Sequence, residues 1–516
     1  MAVRARDSAS RSNDPSAAPV PAVLDSVAVH NPGDSASSQA DVYSPAGSAK
    51  SLKPPQEDGV TAIQADAAPK IGARQRWQQA FRDVQAARHH LRDLNGGRPV
   101  GGEELWQVYG NAGARLTADH EAAKPQKCGG SAWWNGKKDL QGLYKLLVPN
   151  KHDWGSWLNI LLILTPIGWA AHFAKWDAYS IFIINLIALI PLATLIGKIT
   201  EDLALRFGDT IGGLLNVTFG NAVELILSIV ALLKNLYDLV TYSLIGSVLS
   251  NLLLVLGSCF FLGGIRYKEQ TFNAQANKAS ASLLFLAAIA LTIPSAGKYL
   301  YGPTILSESE IQSTSYTTAI ILALVYIGYL FFQLKTHTTL FIEEGIEEEE
   351  DEPLLSIGAA VTVLGTVTVL VAFASEWLTD AITEVSQESG ISFAFLGLII
   401  IPIAGNAVEH ITAVFVAVKN KMDLAIAVAL GSSIQISVFV IPVIVLVGWA
   451  TNHHLSIAFD PFLVLVLVLS VIHAQFVSSD GRSNWMMGLQ LIGTYVLIAV
   501  LIAHVNLGAY QQRKLL

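Results

Sequence analysis

The residues best suited to chemistry occur twice. Gly220, Asn221, Ala222, Val223 and Glu224 spell GNAVE, and Gly405, Asn406, Ala407, Val408 and Glu409 spell it again, both inside runs that are otherwise strongly apolar. Asparagine and glutamate three residues apart lie about one turn apart on one helix face, so both side chains point to the same place. The preceding glycine, with Pro402 upstream of the second copy, favours a locally broken helix whose freed carbonyls can act as ligands where they line a cavity. Such a site is made of oxygen, which suits a hard cation such as Ca²⁺ with its six to eight oxygen ligands. Glu224 and Glu409 are thus the candidate metal ligands. Two carboxylates in a poorly hydrated cavity repel each other, and either one divalent cation or protons can neutralise them; that mutual exclusion is the basis of exchange. A buried acid kept neutral by packing would also fit each glutamate alone, but a charge at the bilayer centre costs at least about 2.5 kcal/mol, which a purely structural residue would avoid.

Small polar residues in the following apolar runs have the helical spacing to face the same cavity: Ser247, Ser250 and Asn251 in one half, Ser432, Ser433 and Gln435 in the other. Serines in spans also bond their own backbone or let helices approach closely, and that reading stays open beside the cavity role. Glu201 and Asp202 before the first motif, and Glu376 and Asp380 before the second, are candidate ion or proton access residues, or simply solvated loop acids. His410 abuts Glu409, but Leu225 takes that place in the first copy; His453 and His454 are expected in a loop.

The motifs need helices to hold them. The 516 residues are 52% hydrophobic and only 14% charged, which does not suit a water-facing surface of that size. Eleven apolar runs can each cross a core of about 30 Å, from Trp157–Lys175 to Trp485–Val505, with the motifs in the third, Ile211–Lys234, and the eighth, Ile391–Val418. The expected class is an all-α polytopic membrane protein. The first 20 residues contain no apolar core, so the first span is expected to direct insertion and the amino terminus to be cytosolic. Lys198, Arg206, Arg266, Lys268, Lys278, Lys335, Lys419, Lys421 and Arg482 then fall in cytosolic loops, against Lys175, Lys234 and Lys298 opposite. The same count places the carboxyl terminus in the lumen.

An offset of 185 aligns Gly220 to Val248 with Gly405 to Ser433 without a gap, and 12 of these 29 positions are identical, Lys234/Lys419, Asp238/Asp423 and Gly246/Gly431 among them. Five crossings separate the two motif spans, and an odd number reverses direction. The halves are therefore expected to be inverted repeats, with the substrate site near the midplane where they meet.

The domain boundaries follow. Residues 1–150 are read as a disordered cytosolic tail, poor in large apolar residues at its start. Within it residues 74–94 form a candidate basic amphipathic helix, which either docks on the membrane or the transporter, or is a plain surface helix. A first transmembrane helix at 155–176, a first repeat at 177–336, a cytosolic acidic linker at 337–353, a second repeat at 354–507 and a tail at 508–516 complete the chain. Glu343, Glu344, Glu347, Glu348, Glu349, Glu350, Asp351 and Glu352 make the linker a solvated connection, a cation-concentrating surface or a calcium-sensitive regulatory helix. The two cysteines, Cys128 and Cys259, have no spacing that suggests a disulfide framework or a zinc site, and no cofactor is expected.

With its paired motifs GNAVELI and PIAGNAVEH and the acidic stretch between them, the sequence resembles vacuolar calcium/proton exchangers of the cation/proton exchanger family, within the calcium/cation antiporter superfamily. The resemblance covers roughly Trp157 to Leu507. It implies a peripheral first helix, two inverted five-helix repeats, a cytosolic acidic helix and export of cytosolic Ca²⁺ into an acidic vacuole driven by returning H⁺. It also implies that Glu224 and Glu409 bind the cation with support from Asn221, Asn406, Ser247, Ser250, Ser432 and Gln435. The expected partners are Ca²⁺, H⁺ and the lipid bilayer, with no nucleic acid.

A sodium-driven calcium exchanger is the nearest alternative, since ligand counting does not separate the two. A cation channel is a second class, against which the inverted repeat argues. An intramembrane enzyme is a third, but the sequence has no paired aspartates, metal cluster or nucleophile and base set at suitable spacing.

Overall fold

A computed structural model describes residues 134–150, 154–338 and 353–504, most of them helical. The candidate helix at 74–94, the acidic run from Glu343 to Glu352 and the tail at 508–516 lie outside the described residues.

The described chain begins with α1 (Gly136–Leu147), in the stretch expected to be part of the tail. Its inward face carries Asp139, Gly142 and Leu146. Asp139 accepts hydrogen bonds from the Ser356 backbone N–H (2.8 Å) and hydroxyl (2.9 Å), and from the Asn135 N–H (2.6 Å). Gly142 lies so close to the chain at Leu354 that a Cβ would stand 2.5 Å from its carbonyl oxygen, an approach only glycine allows. The Asn159 side chain donates to the Leu146 carbonyl at 2.7 Å, satisfying one of the last carbonyls of α1. A polar anchor beside the buried Leu146, with Leu143 and Leu147 packed against the core, therefore holds this segment.

Helix α2 (Gly155–Phe173) begins with a tight 3₁₀ stretch and lies at the periphery, with Trp169 packed edge-on against Phe373 and Trp377. Helix α3 (Ala178–Phe219) is capped by Asp177, whose side chain accepts from the Ser180 N–H, and runs 42 residues. Straight, it would be about 63 Å long, twice a bilayer core. A Cβ on Gly212 would stand only 2.8 Å from the Ala204 carbonyl, eight residues back, so the chain reverses between them and α3 is two legs. The second leg leads into α4 (Ala222–Leu233), and α5 (Tyr237–Arg266) follows.

Helices α6 (Ala274–Ile305) and α7 (Glu308–Phe331) complete the first half, the latter opened by a capping box of Ser307 and Glu310. The second half contains α8 (Ile357–Ser389), α9 (Phe393–Gly405), α10 (Ala407–Val418), α11 (Met422–Ala450), α12 (Pro461–Val477) and α13 (Trp485–His504). Two short strands, β1 (Gln270–Thr271) and β2 (Arg482–Ser483), pair antiparallel where the two halves meet.

The 185-residue offset holds in the backbone. It carries α4 onto α10, the left-handed turn at Asn235 onto the one at Asn420, and the π-helical turn Ser250–Val255 of α5 onto Ile436–Val440 of α11, to within one residue at its start. The related helices α3 and α8 pack along each other. Glycines let α5 and α13 cross with backbones nearly touching: a Cβ on Gly488 would meet the Phe261 amide at 2.2 Å.

Among the described residues eight helices are long and apolar enough to cross a membrane, and nine if α9 and α10, bent by 56° at their junction, count as one broken span. The shorter apolar helices α4 and α12 lie where two further spans are expected. The chain is thus an all-helical, multi-pass membrane protein.

Candidate ion-binding site

Both motifs sit at helix breaks. Asn221 (φ −112°, ψ 33°) separates α3 from α4, and Asn406 (φ −91°, ψ 15°) separates α9 from α10. Each asparagine still accepts, through its carbonyl, the N–H four residues on, so helix resumes at once. Glu224 and Glu409 consequently occupy the first turns of α4 and α10, where the positive end of the helix dipole favours a carboxylate.

Glu224 reaches across to the other motif: a Cβ on Gly405 would stand 3.3 Å from Glu224 Oε1, so the glycine of one copy makes room for the acid of its partner. Glu224 also lines a pocket with Ser243, Ser247 and Gly405. Among the described residues neither Glu224 Oε1 nor Glu409 Oε2 has a hydrogen-bond partner, though both atoms are buried. Buried acceptors without partners are costly, each about 1–3 kcal/mol, and clustered ones mark a place where a cation or proton completes the bonding. Among the described residues no three His, Cys, Asp or Glu side chains group together, so a cation held here takes its remaining ligands from amides, hydroxyls, carbonyls and water.

The amides break the symmetry. Asn221 donates from Nδ2 to Gln435 Oε1 (2.5 Å) and accepts at Oδ1 from the Ser432 hydroxyl (2.9 Å), which in turn accepts from Asn251 Nδ2 (2.9 Å). The repeat would pair Asn406 with Ser247 and Ser250. Instead Ser250 Oγ bonds His410 Nε2 at 2.9 Å, and Asn406, fully buried, has no partner for Oδ1 or Nδ2 among the described residues. Ser433 bonds the Ala429 carbonyl of its own helix. Ser243, in the Glu224 pocket, had no sequence signal, because it lies outside the aligned polar positions.

The upstream acids lie elsewhere. Asp202 is buried and accepts the Leu354 (2.5 Å) and Leu355 (3.1 Å) amides, while Arg206 donates to the Leu355 carbonyl; together they fix the chain entering α8. Glu376 and Asp380 lie beside Lys234 at the end of α4, with Lys234 Nζ 2.5 Å from Asp380 Oδ1. Glu201 is exposed. His453 and His454 sit in the loop after α11, His454 bonding the Tyr316 hydroxyl. A second cavity runs between α6, α7 and α11, from Asn273 and Asp423 at one end to Gln435 at the other.

Residues 178–335 and 359–503 match the family described as sodium/calcium exchanger protein, which is more than half of the chain. The chain belongs to this family. A Ca(2+)/H(+) antiporter of Aphanothece halophytica is 40% identical over 354 residues, covering 66% of this chain and 94% of that one. A vacuolar calcium ion transporter of Schizosaccharomyces pombe is 39% identical over 346 residues, covering 67% and 84%. Among solved structures, native YfkE superposes with a TM-score of 0.59 at 35% identity, over 67% of this chain and 100% of that one. The family and these relatives are transporters, so the chain is an exchanger and not an enzyme.

Proposed function

We propose that this protein moves cytosolic Ca²⁺ into the vacuole in exchange for H⁺, by alternating access at a site shared between two inverted GNAVE motifs. The observation that carries the reading is the reach of Glu224 from one half to Gly405 in the motif of the other, with Glu224 Oε1 and Glu409 Oε2 both buried and, among the described residues, without a hydrogen-bond partner. Relatives described as Ca²⁺/H⁺ antiporters and vacuolar calcium transporters support the substrates and the compartment. Glu224 and Glu409 hold the cation, Asn221 and Asn406 flank it with their amides, and Ser247, Ser250, Ser432 and Gln435 complete the polar wall. When the cation leaves, protons take its place on the same carboxylates, so one site serves both directions of exchange.

In this reading the chain crosses the membrane eleven times, with the amino terminus and the acidic linker in the cytosol and the carboxyl terminus in the lumen. The test is Ca²⁺ uptake into sealed vesicles under an imposed pH gradient. Uptake should collapse with a protonophore and proceed without Na⁺. Uptake that requires Na⁺ and ignores the protonophore would establish the sodium-driven reading instead.

A further inference from the structure

Two glycines related by the repeat have opposite surroundings. A Cβ on Gly246 of α5 would stand 2.3 Å from the Leu398 carbonyl oxygen and 2.6 Å from Pro402 Cγ, so α5 is closed against α9. At its counterpart Gly431, on α11, a Cβ would meet nothing within 4 Å among the described residues, and Gly431 lines a cavity. Nearby, Leu239 and Tyr242 of α5 lie against Gly397 of α9, extending that closed contact along α5. The bundle is shut beside Gly246 and open beside Gly431.

The open space is the cavity between α6, α7 and α11. Its polar lining includes Asn277, Ser280, Tyr326 and Gln333, unusual company for a gap between lipid-embedded helices. The Tyr326 hydroxyl is buried and has no hydrogen-bond partner among the described residues. At one end Asp423 accepts the Asn273 N–H at 2.6 Å; at the other Gln435 accepts from Asn221, one hydrogen bond from the first motif.

We propose that this cavity is the ion route to the paired glutamates from the Asp423 side, that Asp423 recruits the divalent cation at its mouth, and that clearance at Gly431 keeps the route open. The contact of Gly246 with Leu398 and Pro402 is the closed counterpart on the opposite side, and exchange of these two environments opens the other mouth. The inference rests on the exchanger reading above and assigns Asp423 the access role that the sequence had suggested for Glu201, Asp202, Glu376 and Asp380.

The test uses the full chain in sealed vesicles, with Ca²⁺ uptake driven by a pH gradient. Maximal rate should fall with side-chain size through Gly431→Ala, Gly431→Val and Gly431→Leu, at least about tenfold for the last, with the thermal unfolding midpoint retained because the added atoms enter open space. Asp423→Asn should raise KM for Ca²⁺ roughly five- to tenfold, more than it lowers the maximal rate, with the effect shrinking at high salt and Asp423→Glu restoring KM. Independently of folding yield, Ser280→Cys in a Cys128→Ser background should react with an impermeant sulfonated methanethiosulfonate added on the Asp423 side, and added Gly431→Leu should slow that reaction. Wild-type uptake by Gly431→Leu, an unchanged KM in Asp423→Asn, or an unreactive Ser280→Cys would overturn the route while leaving proton-coupled uptake intact. Sodium-dependent uptake that still falls with Gly431→Leu would overturn the proton reading and leave the route standing.

Discussion

At the scale of single residues, the site combines satisfied and unsatisfied polar groups. Glu224 and Glu409 each keep an oxygen without a hydrogen bond. Replacing either by glutamine preserves shape and removes both the charge and the ability to take up a proton. An interaction with a charged group contributes about 1.5–3 kcal/mol, so Glu224→Gln and Glu409→Gln should weaken Ca²⁺ binding roughly 10- to 150-fold and abolish coupled exchange, while folded protein is retained. Normal uptake by either variant would remove that glutamate from the site. The asparagines give a second contrast. Asn221→Ala severs two hydrogen bonds and leaves Ser432 and Gln435 without those partners, whereas Asn406→Ala severs none. Thermal unfolding in detergent should therefore show Asn221→Ala less stable than Asn406→Ala by about 1–3 kcal/mol, and equal values would contradict the asymmetry. The identities of these four residues were legible in the sequence because polar side chains in register are rare in apolar spans. Their pairing was not, since His410 captures Ser250 across 160 positions of sequence.

At the scale of elements, breaks and anchors matter more than helix propensity. Glycine before asparagine announced both motif breaks. The π-helical turns in α5, α9 and α11 carried no such signal, because they arise from packing. Helix α1 was missed for a related reason: its anchor is a carboxylate bonded to an amide and a hydroxyl 217 residues away. Burial works to raise the Asp139 carboxyl, but the bonds from the Ser356 and Asn135 amides and the Ser356 hydroxyl outweigh it, with Arg206 adding to them, and leave it below its ordinary 3.8. A lowered acid stabilises the docked state fully above its unfolded value and loses that contribution as pH falls through the folded one. Docking of α1 should therefore hold at neutral pH and weaken below about pH 4. Hydrogen exchange over residues 136–147, corrected for intrinsic rates, reads this directly. Asp139→Asn should loosen the helix already at pH 7, by on the order of 2 kcal/mol; unchanged protection in the variant would show that the apolar contacts of Leu146 suffice.

At the scale of the whole molecule, the sequence announced the helical membrane class and the family, because apolar length and paired motifs are global signals. The acids expected at the mouths have tertiary partners that sequence does not show: Asp202 holds the Leu354 and Leu355 amides, and Asp380 pairs with Lys234. If one pair of carboxylates serves both ions, protons and Ca²⁺ compete on the same side of the membrane. Apparent KM for Ca²⁺ should then rise as pH falls on the side from which Ca²⁺ enters, with the maximal rate recoverable at saturating Ca²⁺; a fall in maximal rate at constant KM would point to separate sites. The substitutions between the copies have a further consequence for any reconstitution. Turning a perfectly repeated carrier upside down in the bilayer would give back the same carrier. Here His410 stands where the other half has Leu225, and Gln435 where it has Ser250. Liposomes with random insertion would therefore contain two kinetically distinct populations, and their averaged saturation curve would describe neither until one orientation is silenced from outside.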